Sequence, residues 1–243
     1  MNGDEPTRTV VVHCPNWPVV AAGLAGSSAG SSSGSSSGSS AGSSGADVGP
    51  AVATVVVRAN RVVAASAGAR GAGVAVGMRR REAQRRCPHV AVLAHDPDRD
   101  ARCFEPVAAA FDVLTPGVEV SVPGTLAFAT RGPSRYVGGD HALAERTGWI
   151  ATGATGGAEV GVGVADGAFA ALLAARRAVR RGEPVVVAPG GSPDFLAPLP
   201  VAALTQAALD IPVPADLTDL FARLGLRTLG QVAALDGADL LGR

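Results

Sequence analysis

The chain has 243 residues, 47% of them hydrophobic, which is enough for one large or two small domains with buried cores. Its formal charge is zero, so no global field draws it to nucleic acid or membrane, and any electrostatic recognition must come from local patches. All 21 Lys/Arg positions are arginine, which excludes Schiff-base, lysine-nucleophile and phosphate-lysine chemistry within these residues.

Cys14, Cys87 and Cys103 are odd in number and far apart, which argues against a disulfide framework and for a reducing compartment. Cys87 and His89 form a close pair, but neither His13-Cys14 nor His95 completes a zinc spacing, so no metal and no other cofactor is expected. No apolar run reaches the ~18 residues of a membrane span. The first residues, Met1 to Pro6, are acidic rather than basic, so no secretory signal and no membrane partner are indicated; a cytoplasmic location is expected.

In chain order, Thr9–Cys14 reads as a short apolar strand, and Pro18–Leu24 as the start of a helix. Residues 26–45 are Gly-Ser repeats with two alanines, a composition that cannot bury a core and behaves as a flexible coil, and the linker is taken as 26–49. Ala53–Val57 and Arg61–Ala65 are β-branched runs separated by Ala59-Asn60, which suits a hairpin. A glycine-punctuated turn covers 68–77, and Arg79–Arg86 is a helix stopped by Pro88. Val90–Leu93 reads as a strand, Arg99–Val113 as a helix, and Val118–Val122 with Thr125–Ala129 as a second hairpin turning at Pro123-Gly124. Asp140–Ile150 is helical, Glu159–Ala165 a strand, Phe169–Arg181 a helix and Pro184–Ala188 a strand. This alternation lacks strict βαβ regularity, so the expected class is α+β. Beyond Ser192 an extended connector, Phe195–Val201, leads to two short helices, Leu217–Leu224 and Leu229–Leu235. Ala238–Arg243 breaks off in a helical register without a cap, as in a fragment. The expected segments are 7–25, the linker 26–49, then 50–98, 99–191 and 192–243.

Two basic patches stand out. Arg58, Arg61, Arg70, Arg79, Arg80, Arg81, Arg85 and Arg86 face a single acid in the same stretch, Glu82, a local net of seven positive charges. The five arginines of the helix cannot share one face, because neighbours along a helix point about 100° apart. Arg176, Arg177, Arg180 and Arg181 do cluster on one side of the last turns of their helix, where the helix dipole by itself favours cations. Either patch suits phosphate contacts that are weak, sequence-blind and steeply salt-dependent, and either also suits a solvated helix face. Trp17 offers a stacking surface for a base or, more simply, a core side chain. Leu217-Thr-Asp-Leu-Phe221 ends in the Leu-Phe of sliding-clamp-binding peptides but lacks their glutamine.

The stretch Ala64-Ala-Ser-Ala-Gly-Ala-Arg-Gly-Ala-Gly-Val-Ala-Val-Gly-Met78, followed by Arg81-Glu-Ala-Gln-Arg-Arg-Cys-Pro88, resembles the finger segment of the Y-family DNA polymerases (UmuC domain). It is most similar to their ImuB-type, polymerase-like relatives. Gly163-Val-Ala165, Phe195-Leu-Ala-Pro-Leu-Pro200 and Leu224–Ala233 are weaker matches in the same order, so the resemblance spans nearly the whole chain outside the linker. It implies a palm and fingers followed by the start of a small helical thumb.

Carried over residue by residue, the resemblance also implies a loss. The first-strand aspartate that binds metal falls at or within a residue or two of Asn16, and the Ser-x-Asp-Glu motif falls on Ser121-Val122-Pro123-Gly124. The finger tyrosine falls on Ala67, whereas the triphosphate-contacting arginine is kept as Arg70; phosphate-binding lysines give way to Ala168 and Leu172. Two-metal phosphoryl transfer needs carboxylates to hold its cations, so no catalytic residue is assigned. The first helix-hairpin-helix turn of the thumb, near Ala208–Pro214, has no glycine, and Gly225 is left at the second. The resemblance therefore implies a non-catalytic adaptor in damage-induced translesion synthesis that keeps Arg70, and the charge patches add expected nucleic-acid contacts at Arg79, Arg80, Arg81, Arg176, Arg177 and Arg180. Its implied partners are DNA, a sliding clamp, a RecA-like accessory protein and an error-prone replicative-type polymerase, met through regions beyond Arg243. A divergent active polymerase using unaligned acids, and a DNA-binding scaffold with no repair role, are the rival readings.

Overall fold

The computed structural model describes residues 7–30, 52–206, 214 and 216–235. The elements are β1 (Arg8–His13), α1 (Trp17–Gly30), β2 (Thr54–Arg58), β3 (Arg61–Ala65), α2 (Ala67–Gly71), α3 (Arg80–Arg86), β4 (Ala91–Ala94) and α4 (Pro97–Ala109). There follow β5 (Glu119–Val122), β6 (Thr125–Ala129), α5 (Pro133–Val137), α6 (Asp140–Ala154), β7 (Gly161–Asp166), α7 (Ala168–Arg181) and β8 (Val185–Val186). The last are α8 (Ser192–Leu196), α9 (Ala203–Gln206), α10 (Leu217–Arg223) and α11 (Leu229–Ala233). The class is α+β, as the alternation predicts.

The chain divides into two units. The first comprises residues 1–13, 110–153 and 159–243, built on a five-stranded sheet in the order β5-β6-β1-β7-β8. β1 is central and antiparallel to both neighbours, and β8 joins β7 in parallel after the α7 crossover. Its run Val10-Val11-Val12 is buried on both faces, as a central strand between two layers requires. On one face Val11 and Ala127 pack with Ala170, Ala171, Leu172, Ala174 and Ala175 of α7. On the other, Phe128 meets Phe111 at a centroid distance of 6.0 Å and Val162 lies beneath Gly148 of α6.

α7 lies so close to β7 that two positions admit only glycine. A Cβ on Gly161 would stand 2.1 Å from the Ala175 carbonyl oxygen, and one on Gly163 2.2 Å from that of Ala171. The alanines of α7 are the matching half of this contact, since small side chains let helix and strand backbones approach.

The second unit covers residues 14–109 and 154–158, with a three-stranded sheet in the order β3-β2-β4. β2 and β3 form the expected hairpin, and Ala59 and Asn60 both take positive φ (49° and 62°), the two-residue turn that matches strand twist. α1 packs on α4 through Trp17, whose ring meets Phe104 edge-on at 4.9 Å and whose Nε1–H donates to the Asp100 carbonyl at 2.8 Å. Trp17 is 2% exposed and serves packing rather than base stacking.

Several boundaries differ from the sequence expectation. α1 continues to Gly30, into the Gly/Ser tract; residues 31–49 lie outside the described residues. The segment 67–71, read as part of a turn, is the helix α2, with the Ser66 hydroxyl accepting from the Ala69 N–H as an N-cap. α5 has no counterpart in the sequence expectation, and the first two residues of the connector read as extended, Phe195 and Leu196, are the end of α8, started by Ser192-Pro193. Ala207–Val213 and Ala238–Arg243 lie outside the described residues. Gly225, φ +81°, is where α10 ends. Phe221 of the clamp-like peptide is buried on α10.

Candidate functional site

In the second unit the hairpin and the segment after it assemble the larger arginine patch. Arg58 pairs with Arg61 across the turn, Arg61 bridges to Arg79, and the Arg80 N–H donates to the Asn60 carbonyl at 3.0 Å. Arg58, Arg61, Arg79 and Arg80 thus come to one edge by backbone pairing, a route that helical periodicity does not offer. Arg81 and Arg85 sit at i and i+4 on α3, and all six are exposed. Arg86 is engaged locally, donating to the Gly73 carbonyl at 3.0 Å and pairing with Glu82 at 3.3 Å. Arg70 is exposed in the last turn of α2. Asn16, with φ 58°, turns its side-chain oxygen to the Ala65 N–H at 3.1 Å, so it ties the loop after β1 to β3.

In the first unit, the resemblance implies carboxylates at Pro123 and Gly124, and His13 ends the neighbouring strand. His13 closes β1, paired in register with Thr125 on one side and Gly161 on the other. Its Nδ1 lies 3.0 Å from the Thr125 hydroxyl. Pro123 and Gly124 make the β5–β6 turn, and Gly124 has φ +97°, a conformation in which a glutamate would be strained. Burial, reinforced by the charge of Arg176, lowers the His13 pKa to about 4, so the ring is neutral at pH 7. Among the described residues no group of three or more His, Cys, Asp or Glu is placed to hold a metal ion. An imidazole, a hydroxyl, a proline and a glycine do not fit a magnesium pair, which takes hard carboxylate oxygens.

α7 separates its four arginines. Arg180 and Arg181 are exposed at the C-terminus, where Gly182 (φ +74°) caps the helix and Arg181 approaches Glu183 at 3.9 Å. Arg176 and Arg177 are half-buried, and burial lowers the pKa of Arg176.

Two features gave no sequence signal because their members are far apart in the chain. At the end of the sheet remote from His13, Arg8 bonds Asp140, Asp166 (2.9 Å) and the Val187 carbonyl (2.6 Å). Burial opposes ionisation of Asp140, but hydrogen bonds from Ser134 and Arg8 outweigh it and hold its carboxyl below the ordinary range. An open cavity of about 360 Å³ lies beside the exposed Trp149, with Glu145 and Glu183 among its lining.

A sequence profile of the impB/mucB/samB family matches residues 48–176, just over half of the 243 residues. Among solved structures, the chain is similar to an insertion ternary complex of Dbh DNA polymerase (TM-score 0.68, 16% identity, 96% of this chain and 62% of that one). It is similar to DinB from Sulfolobus solfataricus (TM-score 0.65, 16% identity, the same coverages). A Y-family DNA polymerase chimera of Dbh and Dpo4 is a third such structure (TM-score 0.65, 15% identity, the same coverages). The chain thus spans about three-fifths of their length, and at such identities the likeness is one of fold. No curated protein matches it. The profile match over half the chain, on a fold shared with Y-family polymerases, makes this chain a member of the impB/mucB/samB family.

Proposed function

We propose that this chain is a non-catalytic, ImuB-type member of its family, an adaptor that binds DNA during damage-induced, error-prone translesion synthesis and repair in the cytoplasm. The reading is supported by the residues at the degenerate positions: Asn16, whose side chain bonds the Ala65 N–H, and Pro123 and Gly124 at the β5–β6 turn fall where the resemblance implies the carboxylates that phosphoryl transfer needs. Without them the palm has no means of placing cations beside an attacking and a leaving oxygen.

The capacity to bind DNA rests on the exposed arginine edge of the second unit, where Arg58, Arg61, Arg79 and Arg80 converge. Arg70, Arg81 and the α7 arginines extend the cationic surface within their own units. One of the similar structures is an insertion ternary complex of a DNA polymerase, which agrees with DNA as the ligand. The sliding clamp, RecA-like protein and replicative-type polymerase are proposed as protein partners from the ImuB-type resemblance, and α10 and α11 as the beginning of its thumb.

Deleting the gene and measuring mutagenesis after DNA damage tests the role. The proposal expects damage-induced mutations to fall and to be restored by the intact gene; unchanged mutagenesis would overturn the repair assignment.

A further inference from the structure

The open cavity of about 360 Å³ beside Trp149 lies within the first unit and has no part in the function proposed above. One side of it is a face of α6, where Glu145, Gly148, Trp149 and Thr152 recur at the three- and four-residue spacing that brings side chains to one side of a helix. Val160 and Val162, around the start of β7, make its lining apolar, and a Cβ on Gly148 would meet Val162 at 3.8 Å. The turn from α7 into β8 completes it and carries Glu183.

Trp149 is 81% exposed, whereas Trp17, the other tryptophan of the chain, is a core side chain. An indole left in water at the mouth of a cavity is a contact group, since Trp combines a large apolar face with low entropy cost on binding. Every charged residue of the lining is an acid. Arg146, next to Glu145 in α6, points about 100° further round the helix and does not line the cavity. Glu145 has no ion-pair partner among the described residues. Glu183 approaches only Arg181, at 3.9 Å with about half or more of each side chain in solvent, a contact that exchanges readily.

An indole beside two carboxylates suits a planar cation, which the ring face attracts and the acids neutralise. Guanidinium suits it better than ammonium, because it stacks on the ring and offers paired N–H groups to a carboxylate. The same acids repel phosphate, so they oppose the stacking of a nucleic-acid base on Trp149. A free small molecule binds where most of its surface is buried, and this cavity is open, so the cation has to arrive on a larger surface.

We propose that the cavity formed by Glu145, Trp149 and Glu183 is a docking site for an arginine side chain on an exposed basic segment of a protein partner. The first unit thereby gains a protein-binding surface that does not depend on whether the palm is catalytic.

Tryptophan emission of the full chain tests the site, because Trp149 is exposed and Trp17 is buried. A capped hexa-arginine peptide is expected to change the emission and saturate, and a hexa-citrulline peptide, of the same shape without the charge, to leave it unaltered. Glu145→Gln combined with Glu183→Gln should weaken binding by about fivefold, the scale of two exposed ion pairs. Trp149→Leu, followed by calorimetry, should weaken it roughly threefold. Glu105→Gln, exposed on α4 of the second unit, should bind as wild type does. All three glutamates are exposed, so these variants leave the cores intact. No saturable change with the arginine peptide, equal affinity in the double variant, or an equal loss in Glu105→Gln would overturn the site. Spermidine binding as tightly as the peptide would make it a polyamine site, and oligo-dT quenching Trp149 as strongly would make it a base-stacking site; either result overturns protein docking. Polymerase activity would defeat the non-catalytic reading alone, so the two failures are distinguishable.

Discussion

Gly163 sets how closely α7 can lie on the sheet. A methyl group there would stand 2.2 Å from the Ala171 carbonyl oxygen and 2.3 Å from the Ala175 nitrogen, both backbone atoms of a helix that cannot swing aside as a side chain would. Gly163→Ala should therefore destabilise the protein by about 3 kcal/mol, the scale of an overpacked core. Urea denaturation reads this directly, and an unchanged midpoint would contradict the packing. His13 makes a second residue-scale prediction. Its pKa falls from 6.5 in the unfolded chain to about 4 in the folded one, through burial first and Arg176 second. The unfolded state then binds more protons between those values, so the stability is fully present above pH 6.5 and is lost as pH falls towards 4. The full shift corresponds to about 3 kcal/mol. Wild type should lose more stability than His13→Gln between about pH 7.5 and 4.5, a range that brackets most of the shift; parallel curves would contradict it.

At the scale of elements, the arginine edge is the product of a hairpin. The run Arg79-Arg80-Arg81 is visible in the sequence, but its meeting with Arg58 and Arg61 depends on the two-residue turn at Ala59-Asn60 and on the bridge from Arg61 to Arg79. Replacing Arg79, Arg80 and Arg81 by alanine should lower DNA affinity and flatten its dependence on salt, by about 0.9 in log–log slope for each duplex phosphate no longer neutralised. Equal binding across a salt series would make the edge an ordinary solvated surface. The β-branched runs of β1, β2 and β3 are legible because β-branched residues bounded by turn residues mark strands locally. α2 is not, because Gly68 and Gly71 mask a helix that one serine cap starts. α1 passes into Gly-Ser sequence where periodicity carries no information, and α5 follows a Gly132-Pro133 start that reads equally well as a turn.

Across the whole molecule, a neutral chain concentrates seven net positive charges between residues 58 and 86, so its electrostatic attraction for anions is local rather than global. The candidate site is an absence implied by the resemblance, with Pro123 and Gly124 falling on the acids of its motif. The identity of the strand-end group is not legible in the sequence, since Asn16 turns to β3 while His13 meets Thr125, and only strand register reveals that pairing. The influence of Arg176 on His13 is equally hidden, because α7's approach over Gly161 joins segments from distant parts of the chain.

Under the proposed function, this polymerase fold performs no nucleotidyl transfer. Primer extension on primed template with all four dNTPs, in Mg²⁺ and then in Mn²⁺, tests it most directly. The account predicts DNA binding with no primer lengthening in either metal; robust incorporation by the purified chain would contradict it.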